Sequence, residues 1–248
     1  MKNIGTIKRG LSSFQLKLIA LAIMTIDHFG AYRLFTQSQE INNYMRIVGR
    51  IAAPVFLYLL VEGLRHTRDK RKYILRLYIA AVLTELVRVL LEIRMGNIFQ
   101  TFFYAAIYIA CIELIIAAVK ARAVSIKPVL AIIFIVASLV LPRISSPALQ
   151  IFLPNPLTVE FSYIFIMLGV AWHFINNKYI NCAVFAALSA GLLLFPVLLG
   201  SLQWFMLLAA PLILLYSGEK GRGGLKYLFY IYYPAHQILF YFASLYLL

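Results

Sequence analysis

A chain of 248 residues that is 63% hydrophobic and only 13% charged lacks the polar surface a water-soluble domain of that length needs to cover its core. The net charge of +14 does not point to nucleic acid, because Lys and Arg fall in short connections between apolar runs, the positive-inside bias of membrane proteins. One plan of apolar runs and polar breaks fills residues 1–248. The expectation is a single all-α domain, a polytopic transmembrane helix bundle with the lipid bilayer as its solvent.

Met1 to Gly10 is basic, and the apolar run after it is too long for a signal sequence, so it is read as a retained first helix. Nine spans fit best, at roughly 14–35, 44–64, 73–91, 97–119, 128–141, 157–175, 180–199, 201–217 and 227–248. Counts from about eight to ten fit the same runs, since the fifth is short and the Gly200-Ser201 break is tight. Lys2, Lys8, Arg9, Lys17, the run Arg65 to Lys72, Lys120, Arg122, Lys127, Lys178, Lys220, Arg222 and Lys226 collect on one side of this arrangement. The alternate connections hold Arg94 and Arg143 beside Glu40 and Glu92. That asymmetry places the N-terminus in the cytoplasm and the C-terminus outside, in a membrane of the inner (cytoplasmic) type. Tyr44, Tyr73, Trp172 and Tyr179 fall near span ends, where amphipathic rings gather, and Pro54, Pro196, Pro211 and Pro234 within apolar runs are expected to kink helices. Cys111 and Cys182 lie in apolar runs without partner spacing, so neither a disulfide nor a metal site is expected.

Ionisable groups inside spans cost about 2.5–3.5 kcal/mol each even on the mild insertion scale. Asp27, His28, Arg50, Glu85, Arg88 and His236 stand out at mid-helix or toward the outer face, and Glu62, His66, Arg76 and Glu113 near the inner face. Rise per residue puts His28 about 16 Å beyond Lys17 and His236 about 15 Å beyond Lys226, so the two imidazoles can share one level. Adjacent helical residues diverge by about 100°, so Asp27 does not serve His28 side by side. Either the two pack between helices with neighbouring backbone as partner, or His28 faces a cavity while Asp27 pairs with a cation such as Arg50 or Arg88. His28 is a candidate general base, and His236 is either catalytic or a hydroxyl-bonded core histidine. Glu85 and Arg88 have the spacing of an internal ion pair. Glu62 and His66 cap a helix end or line an entrance. The basic run after Glu62 is either a topology signal or an electropositive mouth for a phosphorylated ligand. No phosphate-binding glycine loop, HExxH, CxxC or GxSxG is present.

Four segments carry a resemblance. Asp27-His28-Phe29-Gly30, the run from Arg46 through Gly49-Arg50, Ala52 and Pro54 to Phe56, Glu62-Gly63-Leu64-Arg65-His66-Thr67-Arg68 with Lys72-Tyr73, and Tyr230-Ile231-Tyr232-Tyr233-Pro234-Ala235-His236 resemble, in order, the DHxG, RxxGRxAxPxF, EGxxHTR…KY and YxxYPxH motifs of the TraX family. Residues of about 120–200 agree with that family mainly in hydropathy. The family takes its name from an F-pilin acetylase that uses acetyl-CoA on the N-terminal amine of pilin. The resemblance therefore implies a membrane N-acetyltransferase that takes acetyl-CoA as acyl donor and a peptide or small-molecule amine as acceptor. On that reading Asp27, His28, Arg50 and His236 form the catalytic set, with His28 as base and Arg50 as oxyanion donor. Glu62, Arg65, His66, Arg68, Lys72, Tyr73 and Arg76 hold coenzyme A. Direct transfer and an acetyl-histidine route both fit, and the competing classes are a proton-coupled transporter and a non-catalytic membrane assembly factor.

Overall fold

In the computed structural model of the chain, the residues described are 10–93, 95–122, 125–195, 202–221 and 227–247. The expectations placed on Lys2, Lys8, Arg9, Arg94, Pro196, the Gly200-Ser201 break, Arg222 and Lys226 lie outside them. Helices follow one another along the chain: α1 (Ser13–Ala31), α2 (Gln39–Gly49), α3 (Ala52–His66), α4 (Lys70–Leu90), α5 (Ile98–Ala121), α6 (Ile126–Ile144), α7 (Pro147–Gln150), α8 (Ser162–Ile175), α9 (Lys178–Leu194), a 3-10 helix (Gln203–Ala209), α10 (Ala210–Leu214) and α11 (Leu228–Leu247). Among the described residues extended pairing is confined to a bridge between Leu11 and Tyr216. Among the described residues four segments are long and apolar enough to cross a membrane: α1, the α2–α3 stretch Gln39–His66, α5 and α6. Helices α8, α9 and the stretch Gln203–Leu214 are apolar but shorter. The fifth expected span, roughly 128–141, is longer than expected: α6 has 19 residues, about 28 Å, close to the thickness of a bilayer's hydrocarbon. Its Val129, Leu130, Ile133, Val136 and Val140 are exposed, a surface suited to lipid.

The second expected span, 44–64, is two helices. The chain turns at Arg50 and Ile51, whose N–H groups donate to Ile47 and Val48 carbonyls three residues back. Pro54 then falls in the first turn of α3, where its missing N–H costs nothing, so it starts a helix rather than kinking one.

The chain divides into two compact units, Met1–Leu59 with Asn177–Leu248, and Leu60–Asn176. In the first, α1 begins with a capping box: Ser12 Oγ accepts from the Gln15 N–H, and the Gln15 side chain accepts from the Ser12 N–H. Further first-turn donors, Ser13 and Phe14, reach the Glu219 and Lys220 carbonyls at 2.7 and 3.2 Å. Leu16, Ala20, Met24, Asp27 and Gly30 are its buried residues, a three-and-four spacing that makes one stripe. Asp27 occupies a core position on that stripe, and α1 packs against α2 and α11.

In the second unit α5 packs against α4, α6 and α8. Its polar side chains find partners inside the helix layer: Tyr104 donates to the Pro154 carbonyl at 2.5 Å, and the Tyr108 and Ser138 hydroxyls meet at 2.7 Å. Glu85 accepts from Arg88, as the spacing of the two requires, and from Asn97 and Gln100 at 3.1 Å each. Trp172 is fully buried, which corrects its expected place at a membrane interface: the side chain fills the interior of this unit. Tyr44 and Tyr179 are well exposed, as interfacial rings should be.

Candidate functional site

The first unit gathers all four residues expected to be catalytic. Asp27 Oδ2 accepts from Arg46 Nη1 at 2.5 Å and Asp27 Oδ1 from Arg50 Nη2 at 2.8 Å. Arg50 is held from two further directions, its Nε donating to the Arg46 carbonyl at 3.1 Å and its Nη1 to the buried Gln203 Oε1 at 3.2 Å. Asp27 therefore takes Arg50 and not Arg88, which belongs to Glu85. Two guanidiniums on one carboxylate leave the cluster with a net positive charge.

Two glycines of the resembling motifs make this contact fit. A Cβ at Gly49 would lie 2.0 Å from Asp27 Oδ1, and one at Gly30 would lie 2.8 Å from the Met45 Cβ. Only bare backbone lets α1 and α2 close on a buried carboxylate. Arg46 is not among the ionisable residues that stand out within the expected spans. It sits four residues before Arg50 on the same helical face, and that spacing was the signal.

His28 Nδ1 and His236 Nε2 are 2.6 Å apart, and His236 Nδ1 is 2.6 Å from the Tyr232 carbonyl oxygen. The proton positions follow. A carbonyl only accepts, so His236 Nδ1 carries a hydrogen. In a neutral ring His236 Nε2 is then an acceptor, and His28 Nδ1 is the donor to it. The remaining nitrogen, His28 Nε2, bears the lone pair and is the basic atom of the chain. A proton gained there is shared through Nδ1 with His236. The Tyr232 ring stacks on His236 at 4.8 Å, and its hydroxyl meets Thr25 Oγ1 at 2.7 Å. The Thr25 proton goes to the Leu21 carbonyl, so Tyr232 is the donor. Edge-on rings of Tyr233 and Phe240 complete an aromatic collar around the imidazoles.

The residues expected to hold coenzyme A lie in the second unit and do different things. Arg65 pairs with Glu62 and donates to the carbonyls of Trp172 and, at 2.8 Å, His173, closing the last turn of α8. It is an internal strut. His66 is exposed, with Nε2 3.7 Å from Glu62. Asp69 caps α4 by accepting from the Lys72 N–H at 3.0 Å, and that backbone hydrogen bond holds its carboxyl below the usual carboxylate range. The Lys72 ammonium is exposed 3.4 Å from Asp69, and Arg68 is exposed. The Arg76 guanidinium lies 5.6 Å over the Tyr73 ring. Its Nε is buried without a hydrogen-bond partner among the described residues, a donor left for an anion. Lys70 donates to both oxygens of Glu113 at 2.6 Å, and His173 Nε2 is 2.8 Å from Glu113 Oε1. Sequence reasoning missed His173, whose partner lies 60 residues away in the chain. Cys111 and Cys182 are free and buried. Among the described residues no group of three or more His, Cys, Asp or Glu could hold a metal ion.

An all-helical protein with membrane-length apolar helices and a hydrogen-bonded imidazole pair beside an arginine-bound carboxylate is the class these features define. Residues 12–244 match the family described as TraX protein. The chain belongs to the TraX family. It is 26% identical over 257 aligned positions to a protein of Dichelobacter nodosus named "Probable fimbrial assembly protein FimC, serogroup H1", with 95% of this chain and 97% of the relative covered. No solved structure matches the chain.

Proposed function

We propose that this protein is an acetyl-CoA-dependent N-acetyltransferase of the bacterial inner membrane, acting on an amine such as the N-terminus of a pilin-like peptide. The observation that carries the reading is the hydrogen-bond chain from the Tyr232 carbonyl through His236 to His28, which leaves a basic nitrogen at His28 Nε2. His28 takes the proton of the neutral acceptor amine as that nitrogen bonds to the acetyl carbon and the carbon–sulfur bond breaks, and the imidazole pair returns the proton to the departing thiolate. His236 is a positioning residue that shares the charge. Asp27, Arg46 and Arg50 add a net positive charge beside His28 that favours negative charge growing on the acetyl oxygen. Acetyl-CoA supplies a thioester when bound. In the second unit the exposed Arg68 and Lys72 and the partnerless Nε of Arg76 suit its phosphates, with Tyr73 placing Arg76. The fit of these residues to an anionic donor rests on that buried, unmet donor. The membrane arrangement proposed with this function is nine crossings with the N-terminus in the cytoplasm, which keeps the basic connections on the donor's side.

The test is to incubate the purified protein with labelled acetyl-CoA and follow saturable binding, hydrolysis and transfer to a pilin-like N-terminal peptide. Binding with transfer is expected, and loss of transfer in His28→Ala with binding retained. A second reading, a non-enzymatic assembly factor, is favoured by the name of the Dichelobacter relative. Absence of binding, hydrolysis and transfer in the wild-type protein would overturn the acetyltransferase reading and leave the assembly factor and the transporter class.

A further inference from the structure

The second unit holds an imidazole that the proposed chemistry does not use. The His173 side chain is 9% exposed, and its Nδ1 is buried with no hydrogen-bond partner among the described residues. Glu113 fixes the tautomer. With Lys70 on both of its oxygens at 2.6 Å, the carboxylate is ionised and accepts only, so His173 Nε2 is the donor and Nδ1 keeps the lone pair. A buried acceptor without a donor is unfavourable, and a ligand that brings one is favoured by the same amount. The surroundings restrict what that ligand is. Lys70 balances Glu113 and Arg65 balances Glu62, so the cluster offers no net charge to an ion. Cations of this unit that have no ion pair among the described residues, Arg68 and Arg76 among them, are not part of this cluster.

We propose that His173 Nδ1 is the acceptor for an amide N–H of the pantetheine arm of the acyl donor, with Glu113 and Lys70 as the residues that position it. The inference rests on the acetyl-CoA reading above. Coenzyme A joins an anionic nucleotide to a neutral chain bearing two amide N–H groups, and the second unit offers the exposed Arg68 and the unmet Nε of Arg76 for the first and a neutral buried acceptor for the second.

The test compares binding of coenzyme A, pantetheine and 3′,5′-ADP to the full-length protein in nanodiscs. In His173→Gln, which keeps a donor for Glu113 but not the ring nitrogen, affinity for coenzyme A and pantetheine should fall roughly three- to tenfold, the worth of one neutral hydrogen bond. Affinity for 3′,5′-ADP should not change. A measurement free of folding artefacts is the ¹⁵N spectrum of histidine-labelled wild-type protein, in which the unprotonated Nδ1 of His173 should shift when pantetheine is added. Equal coenzyme A affinity in variant and wild type, with an unmoved Nδ1 signal, overturns the subsite and leaves the acetyl-CoA reading standing. Failure of the wild-type protein to bind any of the three overturns that reading, and the subsite with it.

Discussion

Two buried carboxylates, Asp27 in the first unit and Glu85 in the second, are made from the same residue types and end differently. Glu85 is served by Arg88 from its own helix and by the side-chain amides of Asn97 and Gln100. One cation meets one anion, and neutral donors fill the remaining lone pairs. Asp27 takes two guanidiniums, and the residue after it is an imidazole whose hydrogen bonding leaves one ring nitrogen with its lone pair unused. Burial of charge is costly in both places. The difference teaches that cost alone does not mark a functional site; what marks one is a charge or lone pair left over when every partner has been counted.

The contrast is broken most directly at the imidazoles. His28→Ala should lower acetyl transfer by about 10²–10⁴-fold, the usual worth of a general base, with membrane insertion and coenzyme A binding unchanged. His236→Leu should give a smaller loss carried by kcat with KM unaltered, since the positioning ring touches no substrate. Full activity in His28→Ala would place Asp27 in the same structural class as Glu85.

The next effect is on stability. Asp27→Ala leaves two guanidiniums without their anion and should cost about 3–5 kcal/mol, read as a fall in thermal unfolding temperature in detergent. Glu85→Gln keeps one acceptor oxygen for its neighbours and should cost less, about 1–3 kcal/mol. Gly49→Ala should resemble Asp27→Ala, because the added methyl would stand where the carboxylate lies.

Much of the first unit is legible in the sequence because its chemistry is written at helical spacing. Asp27 falls on the buried stripe of α1, Arg46 and Arg50 are one turn apart, and His28 and His236 are equally deep from their basic flanks. The same holds for Glu85 and Arg88. The break at Arg50 and Ile51 was not legible: hydropathy sees one apolar run over 44–64, whereas the turn is made by backbone hydrogen bonds three residues back. The roles of Arg65 and His173 were hidden for a different reason. Their partners, the α8 carbonyls and Glu113, are separated from them by 107 and 60 residues, and no local period brings them together. Arg65 in particular looks from its basic neighbours like an anion ligand, while the fold uses it to close a helix end.

The smallest expected effect sharpens the comparison most. The Arg88 side chain is 42% exposed, whereas that of Arg50 is 14% exposed. An ion pair open to solvent is worth about 0–1 kcal/mol, and Glu85 keeps Asn97 and Gln100 when Arg88 is gone. Arg88→Ala should therefore scarcely move the unfolding temperature. Arg50→Ala strips Asp27 of one of its two cations and Gln203 of its donor, and should be several times more costly. If the two variants destabilise equally, the arginines do the same work, and the distinction between a saturated cluster and a poised one has to be abandoned.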